Sequence, residues 1–128
     1  MATKAELFGA QKAESCMLVL FIPSVDRDHQ PIDQLNWREA ALQVLGRLFG
    51  GATAFPQGRG VWRDDTQDGK LIFDEPIMIQ CYTGEQLIEA NYAELKAFLV
   101  RLGTETRQGA VGFVIDREYL EIRFPRTV

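Results

Sequence analysis

Two arginines and a tryptophan punctuate the segment GGATAFPQGRGVWRDD, Gly50 to Asp65, and no other stretch of the chain is better furnished to hold a ligand. Alternation along an extended strand places Arg59 and Arg63 on one face, either side of Val61, with Trp62 on the reverse. Two guanidinium groups so placed can bracket an anion through charge-assisted hydrogen bonds. The glycines do not by themselves cradle phosphate. No Gly-Lys-Ser/Thr ending follows them and no strand-then-helix frame encloses them, so neither the P-loop nor the dinucleotide fingerprint is met. The competing reading is a hairpin arm whose arginines only face water.

Three further residues can carry chemistry. Glu75 follows Asp74 and precedes Pro76, where a long hairpin must bend; it can pair with an arginine across the bend or, if burial raises a carboxyl pKa there, serve as an acid or base. Tyr82 lies on the strand beyond and would complete a catalytic group only if it converged with Glu75 and Arg63 in one cavity. His29 is the single histidine and sits in the loop DRDHQP between acidic neighbours, a weak ligand set for a metal and an isolated base. One histidine excludes histidine-rich zinc sites and a Cys-His or Ser-His-Asp arrangement built on any other position. No cofactor and no metal are called for.

The chain that must position these groups has 128 residues, 46% hydrophobic and 25% charged, which suits one folded α+β domain, residues 15–128, after an N-terminal extension of residues 1–14. A net charge of −4 disfavours nucleic acid, which demands clustered Lys and Arg. The longest apolar run, Cys16 to Pro23, is far too short to span a membrane, and the N-terminus lacks the apolar stretch of a secretory leader. Cys16 and Cys81 are too few for a disulfide scaffold. The expected compartment is the cytoplasm, with both thiols acting as small buried apolar groups; a cross-strand thiol pair is the alternative.

CMLVLFI, Cys16 to Ile22, is continuously apolar, ends at Pro23 and predicts a strand greasy on both sides. Asn36 with Glu39 signals a helix start, Trp37, Ala41, Val44, Leu45 and Leu48 share a face, and Gly50-Gly51 provide the stop. Ala52 to Arg63 reads as a bent or edge strand, Asp68-Gly69 as a hairpin turn, and Leu71 to Thr83 as a strand disturbed at Pro76. Thr83 and Gln86 form a capping box for a second helix with a buried stripe of Ile88, Tyr92, Leu95, Phe98 or Leu99, and Leu102, closed by Gly103. At the C-terminus, AVGFVID and YLEIRF have opposite inward parity, so a tight turn or bulge must lie near Asp116 to Glu118. The resulting order predicts a ferredoxin-like βαββαβ antiparallel sheet, two helices on one face, the last strand split into a hairpin.

That topology has one consequence for assembly. Helices cover a single face, so the alternate residues Met17, Val19 and Phe21 project from the other, and an uncovered apolar face calls for a homodimer, another protein or a ligand. The homodimer is the favoured occupant.

The combination LFGGATAF, GRGVWRDD and GKLIFDEPIMI resembles a family of small bacterial βαββαβ domains of uncharacterised function, with a Gly-x-Trp-Arg-Asp hairpin and a Glu-Pro strand. Gly50, Gly51, Gly60, Trp62, Arg63, Asp64, Glu75 and Pro76 carry the likeness, which extends from about Phe21 to Phe124. It implies the fold and no activity. The residues favour a non-catalytic, homo-oligomeric module that binds a protein partner or small anionic ligand through Arg59, Trp62, Arg63, Glu75 and Tyr82. The competing class is a cofactor-independent enzyme in a dimeric barrel, with Glu75 or His29 as base and an arginine stabilising negative charge.

Overall fold

The computed structural model describes residues 1–126. Its central strand is β1, Cys16–Ile22, for which the sequence supplies seven consecutive apolar residues. Register fixes which of them face which way. On one side Leu18, Leu20 and Ile22 are fully buried, packed with Ala41, Leu45 and Leu48 of α2, Gln34–Phe49, and Leu95, Phe98, Leu99 and Leu102 of α3, Glu85–Glu105. A short α1, Lys4–Phe8, buries none of its residues.

The remaining strands are β2 (Thr53–Ala54), β3 (Gly60–Asp64), β4 (Lys70–Asp74), β5 (Ile77–Thr83), β6 (Ala110–Ile115) and β7 (Glu118–Arg123). The main sheet runs β2-β5-β1-β6-β7, with every pairing antiparallel, so β1 lies beside β5 as a ferredoxin-like α+β fold requires. Strands β3 and β4 form a separate two-stranded sheet. The bent strand expected over Ala52 to Arg63 is therefore two pieces, because Pro56 removes a ladder donor between them.

Helix ends depart from expectation in instructive ways. Asp33 caps α2, its carboxylate accepting from the Asn36 N–H at 3.2 Å, so the start lies three residues before the Asn36 signal. Gly50, at φ 93°, closes the helix as expected, a left-handed conformation that costs glycine little. The Thr83–Gln86 capping box does not form. Thr83 is held in the β1–β5 ladder opposite Cys16 and faces the core, so Gly84 takes the cap position without a side-chain bond. Gly103 is no stop either: α3 runs to Glu105, and Gly103 is buried where the Phe124 ring crosses the helix, so closely that a Cβ there would collide with it. Tyr92, expected in the buried stripe, is 64% exposed.

The parity conflict at the C-terminus is resolved by a two-residue turn. Ile115 pairs with Glu118 and Phe113 with Leu120, so odd residues of β6 and even residues of β7 face the same core. Asp116 takes φ 55° to close that turn, and its carboxylate accepts from the Met17 N–H at 3.0 Å.

Candidate functional site

The second face of the sheet follows from the same register. Met17 lies opposite Tyr82, Val19 opposite both Gln80 and Val114, and Phe21 opposite Met78; Val114 in turn lies opposite Tyr119. Both long helices pack on the other side. Met17 and Phe21 are half-buried and Val19 between them is only 6% exposed, while Tyr82 and Tyr119 stand 59% and 60% exposed. The face is therefore apolar at its centre with a polar thread across it: the Gln80 amide donates to the Met17 sulfur at 2.8 Å and to the Tyr82 hydroxyl at 3.3 Å.

This face ends in a shallow depression of about 520 Å³, lined by Ser15, Cys16, Met17 and Tyr82 with the carboxylate-bearing Glu14, Asp116 and Glu118 and the guanidinium of Arg117. It offers an aromatic ring, a thioether and several acceptors. With three carboxylates against the single guanidinium of Arg117, such a lining suits a small neutral or cationic molecule with hydrogen-bond donors better than an anion.

The arginines are placed elsewhere. Strands β3 and β4 pair Val61 with Phe73, Trp62 with Ile72 and Arg63 with Leu71, so Trp62 lies on the reverse face from Arg63. The Arg59 guanidinium sits 4.7 Å above the Phe73 ring and 3.7 Å from the Glu75 carboxylate. Arg63 donates to Asp65 at 2.6 Å. An incoming anion would have to displace a carboxylate from each. Burial, with Glu75 beside it, pushes the Asp74 carboxyl above its usual range.

Glu75 and Tyr82 are separated by the length of β5, roughly 20 Å at the rise of an extended strand, and Arg63 lies out on the hairpin arm. The three do not converge in one chain. His29, exposed at φ 61°, is also isolated: Asp26 accepts from the backbone of Asp28 and Gln30, and Asp28 holds Arg107 and Arg126. Among the described residues no three His, Cys, Asp or Glu side chains gather around a point fit for a metal, and no helix is long and apolar enough to cross a membrane.

No protein-family model matches the chain, and no curated protein sequence does. Solved structures do. The fold is similar to that of a phage SAM lyase in complex with S-methyl-5'-thioadenosine, at TM-score 0.63 and 14% identity over 89% of this chain and 95% of that one. The apo phage SAM lyase gives 0.63 and 13% over 92% and 96%. The divalent ion tolerance protein CutA1 from Ehrlichia chaffeensis gives 0.51 and 9% over 84% of each chain. At such identities the likeness establishes the α+β fold and leaves activity open.

The residues missed at the level of sequence are Gln80, Asp116 and the three acidic side chains' common edge. A signal for Gln80 was present, since Met78, Gln80 and Tyr82 alternate with Ile77, Ile79 and Cys81 and so belong to the face of Met17, Val19 and Phe21. Cys16 and Cys81 sit on adjacent strands, 2% and 1% exposed, and are not bonded to each other. Burial raises both thiol pKa values, and Asp116 adds to the rise at Cys16 and Glu14 at Cys81. Neither is an activated nucleophile. A thiol reagent at pH 7.5 should leave both unlabelled in the folded protein and modify both after unfolding; rapid native labelling of either would contradict this.

Proposed function

We propose that the chain is a homo-oligomeric module that binds a small molecule on the open face of its sheet, in the depression under Tyr82. One observation carries the reading: Met17, partly exposed on the sheet face that neither long helix packs on, leads into a depression lined by Tyr82 and three carboxylates, with Arg117 beside them. The fold neighbours support it, because one of them is held in complex with a nucleoside thioether. A purine ring matches an apolar floor with an aromatic wall, and ribose hydroxyls match carboxylate acceptors.

S-methyl-5'-thioadenosine is therefore the first probe, with inorganic phosphate as the anionic comparison. Titration calorimetry should show binding of the nucleoside and none of phosphate, and Tyr82→Ala should weaken the nucleoside roughly tenfold, the effect of losing an aromatic contact worth on the order of 1.4 kcal/mol. Binding of phosphate alone, abolished by Arg59→Ala with Arg63→Ala, would return the site to the hairpin arginines. Binding of neither compound would overturn the proposal.

A second reading, catalysis at the same depression, is favoured by the lyase named among the fold neighbours. It separates cleanly from the first. Chromatography of SAM incubated with the protein returns it intact if the module only binds, and reveals breakdown products if it is an enzyme.

A further inference from the structure

The N-terminal segment carries a helical turn that is complete in itself and left exposed. In α1 the Thr3 hydroxyl accepts from the Glu6 N–H at 3.1 Å at one end, and Gly9 closes the other at φ 62°. Yet α1 buries none of its residues, and Leu7 and Phe8 stand 72% and 86% exposed. A helix this short is unstable in water by itself, so two large apolar side chains adjacent on it gain by docking. Gln11 to Glu14 join α1 to the body without a backbone hydrogen bond among the described residues. That joint ends at the depression: Glu14 and Ser15, the last residues before β1, line it together with Met17 and Tyr82.

We infer that α1 is the roof of the small-molecule site, folding over the depression on ligand binding so that Leu7 and Phe8 cover the ligand from the side opposite Met17. The inference rests on the binding reading above and adds the side chains that enclose the ligand. Three observations select this segment. The site needs a cover, since pockets for small molecules enclose roughly 70–90% of their ligand and this hollow is shallow. The reach is sufficient: the chain from Gly9 to Glu14 extends to ~20 Å, enough to cross a hollow of about 520 Å³ whose rim begins at Glu14. The tether also chooses between copies. A short flexible joint holds α1 beside its own depression at an effective concentration on the order of 1 mM, far above what the α1 of another molecule reaches in micromolar protein.

Titration calorimetry and hydrogen exchange on the full chain, with S-methyl-5'-thioadenosine as the probe, test the closure. Leu7→Ser with Phe8→Ser should bind the nucleoside about tenfold more weakly than the wild type, the share of one buried apolar side chain. Leu7→Met with Phe8→Leu, which keeps the apolar cover, should restore most of the affinity. Saturating nucleoside should slow exchange of the Leu7 and Ala10 amides, which donate to the Thr3 and Ala5 carbonyls, at least tenfold in the wild type and leave it unchanged in the serine variant. Because α1 is unburied, the ligand-free serine variant should melt within about 3 °C of the wild type; a larger loss would mean that α1 is already packed on the body and would overturn the closure. Failure of the wild type to bind the nucleoside would overturn the site reading and the inference together. Where the wild type binds, unchanged exchange of the α1 amides would overturn the inference alone, and so would full affinity in the serine variant.

Discussion

Leu20→Ala should destabilise the chain by about 3–5 kcal/mol, lowering its melting temperature by roughly 10–20 °C. Leu20 is fully buried at the middle of the central strand, opposite Ile79 on one side and Phe113 on the other. Its removal leaves a void that two flanking strands and two helices are too rigidly paired to fill. The neighbouring residue supplies the control. Phe21 projects to the other face, where no second layer of this chain lies over it, so Phe21→Ala should cost a dilute single chain only about 1–2 kcal/mol, well below the 3–5 kcal/mol of a fully buried phenylalanine. Melting curves of both variants check the contrast. A Leu20→Ala loss no larger than that of dilute Phe21→Ala would mean the two faces have been assigned the wrong way round.

The same contrast marks how far the sequence can be read. The run Cys16 to Ile22 has too many apolar residues for a strand covered on one side, and that surplus already implies a central position and a face left over. Turn chemistry was equally legible: Asp68-Gly69 closes β3 on β4, with both residues at positive φ, and opposite parity in the last two segments demanded the two-residue turn at Asp116. Tertiary choices between equally good local signals were not. Thr83 can cap a helix or complete a strand, and only the partner Cys16 across the ladder decides for the strand. Gly103 reads as a helix stop because nothing local reveals that Phe124, twenty-one positions on, needs the space. The candidate site was half visible for a related reason. Residue type pointed to Arg59, Arg63, Glu75 and Tyr82, but the register of β5 spreads Glu75 and Tyr82 along the whole strand and gathers Tyr82 instead with Met17 and Asp116, whose common location depends on three strands at once.

Gln34 is the clearest case of a residue with no local signal and a large expected effect. It is buried at the first turn of α2, and its amide nitrogen donates to the carbonyls of Ile22 at 3.0 Å and Glu75 at 2.9 Å, while its oxygen accepts from the Gln57 amide at 2.8 Å. One side chain thus ties the end of β1 to both roots of the hairpin arm, where the Ser24 hydroxyl also accepts from the Glu75 N–H and Gly58 donates to the Pro76 carbonyl. Gln34→Met keeps length and volume but leaves two carbonyls and an amide unpaired in a partly water-excluded place, at about 1–3 kcal/mol for each group that water cannot reach. The expected net loss is about 3 kcal/mol, or roughly 10 °C in melting temperature. Its location distinguishes it from an ordinary core defect. Hydrogen exchange of the Gly58 amide should accelerate well beyond that of Leu20, because the arm is released before the sheet unfolds. Uniform acceleration across arm and sheet would show that Gln34 supports the whole core and does not specifically anchor the arm.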